Sequence, residues 1–301
     1  MTIALSWLRR RKNTVELVLA SDSRLRSYGA MDQGQKLFKL VRADCCLAFC
    51  GDAQVAYPFF IQVGTALDNF VKTRTRAQDV TSLSGSVGQL LNNLVSAWKI
   101  PAPEKREQLA TTRIMFGGWS WEMKRFHLGY FIFDNNQFVF RRSKSKSIHP
   151  WRERSNSLVF IGDYEEDYMS SLRSVLEARH GLPATQNEKI IFDFDYEPVE
   201  ALYQMLQKRI PEHTAIGGSP QLMKIYPYSN TLPFVVRTEG GHFLLGRKLF
   251  DWEKTEYPVL DLTKTPAQLL YPMQKIPLPA DLDYEVENQG KDEDLEAESS
   301  P

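Results

Sequence analysis

The order in which apolar periodicities change along the chain constrains its fold more than any other feature. Through the first fifty residues, short apolar runs at 3–5, 15–20 and 45–50 are separated by turn and charge clusters, including a basic turn over 9–13. That spacing predicts the strands of a meander. From 52 to about 72, Val55, Phe59, Val63 and Leu67 recur at three- and four-residue steps, and Val87, Leu91, Leu94 and Trp98 do so again. Two consecutive amphipathic helices follow from this recurrence. Pro101, Pro103 and the charged run 104–107 end the second helix. Strands are then predicted at 113–116, 126–133, 138–141 and 158–161, helices at 167–179 and 198–210, and closing strands at 222–226, 234–237 and 242–245. Strands, two helices, strands, two helices, strands: this order gives two sheets with a helix pair for each outer face. The predicted fold is α+β with αββα layering, not the strict βαβ alternation of a parallel sheet.

Composition excludes several classes. Lys and Arg total 37, Asp and Glu total 37, and no run of about 18 apolar residues exists. The opening residues are followed by Arg9, Arg10, Arg11 and Lys12, the reverse of a secretory signal's order. A cytoplasmic protein without a membrane span is expected. Cys45, Cys46 and Cys50 crowd into one apolar segment, so neither a disulfide framework nor a four-cysteine zinc site can be built, and no cofactor is implied.

The neutral total hides an uneven distribution. Nine carboxylates lie between Asp281 and Glu298 against Lys291 alone, which predicts an acidic disordered tail over 281–301 and leaves the body correspondingly basic. The basic stretch 141–154 reads as a solvated loop. Charge without a stacking platform or reading helix is a poor argument for nucleic acid, which is not expected as a partner.

Met1 precedes Thr2, and an initiator methionine is usually excised when the next side chain is this small. The mature chain would then begin with a threonine whose hydroxyl is a nucleophile and whose own amine, ordinarily near pKa 7.7–8.0, can serve as base. Downstream stand Ala20-Ser21-Asp22-Ser23-Arg24, Lys36-Leu37-Phe38-Lys39-Leu40 and Phe49-Cys50-Gly51-Asp52-Ala53. With these the chain resembles the proteasome β-subunit and the bacterial ATP-dependent threonine protease, N-terminal nucleophile (Ntn) hydrolases of one four-layer αββα sandwich fold. Weaker echoes follow at Gly117-Gly118-Trp119, Phe160-Ile161-Gly162 and Ile216-Gly217-Gly218.

The resemblance implies Thr2 as nucleophile, Asp22 as the carboxylate orienting a lysine, Lys36 as the cation beside the hydroxyl, with Lys39 as its backup, and Gly51 as the N–H of an oxyanion hole. It implies a peptidase or amidase acting on a peptide or amide substrate, a homo-oligomer, and a separate ATPase partner, since this chain has no phosphate-binding loop of its own. Active members place a Ser after the Gly preceding the third helix and an Asp and Ser before the late Gly-Gly. Here Asp163, His213 or Glu212, and Ile216 stand there. Either Asp163 and His213 re-equip the site, or the chain is a catalytically inactive assembly or binding subunit. The resemblance fades after about 226. The expected organisation is a proteasome-like domain over 1–235, an extension packed on it over 236–280, and the tail over 281–301.

Overall fold

The computed structural model describes residues 2–11, 14–26, 29–143, 145–155, 157–185, 189–208, 215–227 and 230–271. The acidic segment 281–301, Glu212 and His213 lie outside the described residues.

The chain opens on a hairpin, β1 (Ile3–Arg11) and β2 (Thr14–Ser21), passes through β3 (Leu25–Arg26) and β4 (Ala30–Met31), and continues into β5 (Leu37–Lys39) and β6 (Cys45–Cys50). Four helices follow: α1 (Ala53–Asn69), α2 (Val71–Arg74), α3 (Val80–Ala97) and α4 (Ala102–Ala110). The meander β7 (Arg113–Ser120), β8 (Arg125–Asp134) and β9 (Gln137–Arg142) leads to β10 (Trp151–Glu153) and β11 (Val159–Gly162). Next come α5 (Glu165–His180), β12 (Ile190–Phe192) and α6 (Glu197–Gln207). The last six strands are β13 (Gln221–Ile225), β14 (Thr231–Thr238), β15 (Gly241–Leu244), β16 (Arg247–Lys248), β17 (Val259–Asp261) and β18 (Gln268–Leu270).

Two sheets dominate this mixed α/β fold. One has nine strands in the order β11-β1-β2-β13-β14-β15-β16, with β17 beside β14 and β18 beside β17. The other is the antiparallel meander β5-β6-β7-β8-β9. Side-chain alternation in β1 sorts the core. Ile3, Leu5 and Trp7 join Leu172 and Leu176 of α5 and Val199 and Leu202 of α6, whereas Ala4 joins Cys46, Ala48, Cys50 and Met115 of the second sheet. Leu47 and Phe49 of β6 turn the other way, onto Val55 and Phe59 of α1 and Leu83, Val87 and Leu91 of α3. Both faces of β1 and β6 are therefore covered, which is why Cys45–Cys50 is apolar throughout instead of alternating.

Local chemistry fixes where the helices start. Asp52 Oδ1 accepts from Gln54 N at 2.8 Å before α1, and Asp79 Oδ2 accepts from Thr81 N at 2.9 Å before α3. α5 carries Glu165, Glu166 and Asp167 in its first turn and Arg179 and His180 in its last, matching the helix dipole at both ends.

The structure corrects the sequence reading in three places. α3 begins at Val80, about two turns before the expected 87, because Asp79 is its cap. Residues 102–110 form α4 where the charged run was expected to end a helix; Pro103 sits in its first turn, where a missing N–H costs nothing, and Leu109 is its one buried residue. Strands also continue past 245: β16, β17 and β18 extend the nine-stranded sheet, and β14 crosses the boundary expected at 235.

Candidate active site

Thr2 enters the site as the residue just before β1. Its neighbours are fixed by two strands: Ile3 lies opposite Gly162 in β11, and Ala4 opposite Ser21 in β2. Asp22 follows directly on Ser21 and is thereby brought beside the start of β1. Ser21 Oγ donates to Ile3 O at 2.8 Å and ties the two strands at this end.

Asp22 is fully buried and surrounded by donors. Oδ1 accepts from Lys36 Nζ at 2.8 Å and Ile3 N at 3.1 Å; Oδ2 accepts from Gly217 N at 3.1 Å and Arg24 N at 3.2 Å. Three backbone N–H groups and one ammonium thus hold both oxygens in a single orientation. Lys36 Nζ, equally buried, also donates to Thr2 Oγ1. Burial pushes the Lys36 pKa down, and Asp22 pulls it only part of the way back. Its ammonium is therefore held less firmly than an exposed lysine's. Lys39, by contrast, ends β5 opposite Cys46 with its side chain exposed, so the register selects Lys36.

On the other side of Thr2, Asp163 Oδ2 accepts from Thr2 N at 2.9 Å while Asp163 N donates to Thr2 O at 3.1 Å. This reciprocal pair needs Gly162 before it. Gly162 has φ of 126°, and a Cβ there would lie 1.8 Å from Thr2 O. Asp163 also stands just ahead of α5, where the helix dipole favours a carboxylate.

Gly51 closes β6 with φ of 106°, and a Cβ there would meet Thr111 O at 2.7 Å. Packing against the α4–β7 turn is thus a sufficient reason for glycine. The preceding Cys50 marks how near this end of β6 comes to the site, because its thiol interacts electrostatically with Lys36 and Asp163. Burial pushes that thiol up to about 12, which removes it as a nucleophile. Ile216 is buried in the core under α6, and the glycine after it supplies the N–H on Asp22.

Gln221 was not singled out from the sequence. Fully buried at the start of β13, it accepts at Oε1 from Lys36 N at 2.9 Å and donates from Nε2 to Asp22 O at 3.0 Å and Gly34 O at 2.7 Å. One amide therefore bridges the segment carrying Asp22 and the segment carrying Lys36. The available signal was an amide, directly after Pro220, opening a strand whose next two residues, Leu222 and Met223, are apolar.

The basic end of β1 is largely consumed internally. Arg9 pairs with Glu16 and, at 2.5 Å, with Asp195; Arg11 pairs with Asp195 too. Lys224 joins this group at 2.9 Å from Glu16 and 2.7 Å from the Tyr196 hydroxyl, and burial pushes its pKa down to about 8.

Among the described residues, no group of three or more His, Cys, Asp and Glu side chains is placed to hold a metal, and no helix is long and apolar enough to cross a membrane. No protein-family model and no curated protein matches the chain. Among solved structures it is similar to the Gly-1 mutant of Anbu from Hyphomicrobium sp. strain MC1, at 15% identity over 75% of this chain and 82% of that one, with a TM-score of 0.44. A likeness of that degree carries no argument about chemistry, which has to come from the side chains.

Proposed function

We propose that Thr2, freed by removal of Met1, is the nucleophile of a threonine-type Ntn hydrolase that cleaves peptide or amide bonds in a proteasome-like αββα sandwich. The observation that carries this reading is one buried ammonium, Lys36 Nζ, touching both Thr2 Oγ1 and Asp22 Oδ1. Lys36 is fully buried, and burying its charge costs several kcal/mol before pairing, yet its ammonium meets the Thr2 hydroxyl as well as a carboxylate.

The proton path follows from the two sides of Thr2. A carboxylate 2.9 Å from the nitrogen favours the ammonium form of a free α-amine, so Asp163 leaves less of that amine in the neutral form that can accept a proton. Burial acts on Lys36 in the opposite sense and favours its neutral form, so the acceptor role is assigned to Lys36. Thr2 Oγ1 attacks the substrate carbonyl carbon, and its proton passes to neutral Lys36. The oxyanion is held by the Gly51 N–H. Lys36 returns the proton to the leaving amine as the C–N bond breaks, and the acyl group remains on Oγ1 as an ester. Water then attacks that ester, and its second proton restores the Thr2 hydroxyl. Asp22 keeps the lysine aimed throughout, and Asp163 anchors the N-terminus. In the same reading the chain self-assembles through its outer helices, on which Ile61 is 66% exposed.

A second reading, an inactive assembly or binding subunit, has one specific observation behind it. Thr2 is only 1% exposed, and a carboxylate, not a hydroxyl, meets its nitrogen. Hydrolysis of a panel of fluorogenic peptide amides separates the two. The hydrolase reading requires turnover that Thr2→Ala abolishes and Thr2→Ser retains; turnover indifferent to Thr2→Ala, or absent from every protein, supports the inactive subunit.

A further inference from the structure

An open groove of about 690 Å³ lies at the opposite end of β1 from Thr2, about 20 Å away at strand rise. Three hairpin ends wall it. Trp119, Phe126 and Tyr226 line it with aromatic surface, and Arg10, Lys124 and Arg125 give it a basic rim. These cations differ from their neighbours. Arg9 and Arg11 are taken up by Asp195, whereas Arg10 is 4.0 Å from Asp193 and donates to Ser155 Oγ. Among the described residues, Lys124 and Arg125 have no carboxylate at ion-pair distance; Arg125 donates instead to Met123 Sδ at 3.7 Å. Glu122 in the same turn offsets one of the three charges. Lys124 and Arg125, with Arg10 only loosely paired, around an apolar floor favour a ligand that brings both carboxylates and an aromatic or aliphatic side chain.

The chain carries such a segment and delivers it to this place. β18 lies beside β17 and β17 beside β14 in the register Leu270, Val259, Val235. Because β18 is antiparallel to β17 and β17 parallel to β14, advancing towards Tyr271 means descending β14 from Val235 towards Thr231. Thr231 is paired with Ile225, next to the groove residue Tyr226. Tyr271 comes near enough for its phenol to act electrostatically on Tyr226. The nine residues 272–280 can span about 30 Å, and the nine carboxylates between Asp281 and Glu298 follow.

We propose that the acidic segment 281–301 of the same chain docks on this groove, its carboxylates on Arg10, Lys124 and Arg125 and Tyr284 on the aromatic floor.

Carbodiimide coupling of the full chain at low salt tests this, with peptides mapped by mass spectrometry and isotope-mixed protein to separate links within and between chains. The expected result is an amide between Lys124 and a carboxylate of 281–298 within one chain, weakening about fivefold at 0.5 M salt as the Debye length shrinks. Cleavage of the tail by a glutamyl endopeptidase gives an independent readout. It should quicken several-fold in the double variant Lys124→Glu/Arg125→Glu, whose sites are exposed and leave the core untouched. Links only between chains, no tail link at Lys124, or cleavage indifferent to both salt and the double variant would overturn the proposal.

Discussion

At the scale of single residues the account rests on which way each environment pushes a proton. Lys36 is depressed by burial, so it loses its proton at lower pH than a free lysine and becomes an acceptor for Thr2 Oγ1 as pH rises. As pH falls through the Lys36 pKa, the acceptor is lost. The rate at which an electrophile traps Thr2 should therefore fall on the acid side, and Lys36→Arg should cut it by at least about a hundredfold at every pH, because arginine stays charged. Asp163→Asn supplies the complementary case. Without the carboxylate the free α-amine loses its proton more readily, but the acid limb of trapping belongs to Lys36 and should stay in place; a limb that moved to lower pH would show that the amine, not Lys36, accepts the proton. A third residue tests electrostatics away from the site. Lys224 has a pKa lowered to about 8 from its ordinary 10.5, so between those values the unfolded chain binds more protons than the folded one. Stability from this group is therefore missing below pH 8 and regained as pH rises towards 10.5, at up to about 1.4 kcal/mol per pH unit. Urea unfolding between pH 7.5 and 10 should show this rise in the wild type and a flatter profile in Lys224→Gln.

At the scale of elements the site depends on strand ends meeting in one register. β11 delivers Gly162 and Asp163 to Thr2, and no residue with a Cβ fits at 162, where the backbone has φ of 126° and Thr2 O would be 1.8 Å away. Gly162→Ala should destabilise the protein by about 2 kcal/mol or more and slow trapping of Thr2 together with it. Gln221 acts between elements: it fastens β13 to both the Asp22 and Lys36 segments. Gln221→Leu leaves buried backbone groups without partners and should cost about 1–3 kcal/mol for each, visible in the same unfolding experiment. These two positions also show what a sequence discloses about elements. The helices expected at 167–179 and 198–210, found as Glu165–His180 and Glu197–Gln207, were legible because apolar side chains recur at helical spacing, and the strand Cys45–Cys50 because it is a short unbroken apolar run. α4 was not, since its single buried residue, Leu109, makes no periodic pattern. β17 and β18 were hidden for a different reason: three-residue strands among prolines are made by pairing, β17 with β14 and β18 with β17, not by their own composition.

At the scale of the whole molecule, Thr2, Asp22, Lys36 and Asp163 could be named from sequence because the motifs that carry the family resemblance place them, and the structure gathers all four. Gln221 could not, because its importance lies in contacts more than 180 residues apart in sequence. Assembly belongs to this scale too. Ile61 on α1 and Phe70 just after it are exposed apolar side chains on the outer helices. Sedimentation velocity should give a multiple of the chain mass, reduced to one chain in Ile61→Glu/Phe70→Glu; a wild type that sediments as a single chain would remove self-assembly. The central claim, however, is the nucleophile, and intact mass with N-terminal sequencing, before and after an electrophile that traps N-terminal threonine, tests it most directly. The account predicts a chain beginning at Thr2 that gains one adduct, absent from Thr2→Ala. A retained Met1, or a free Thr2 that never reacts, would contradict it.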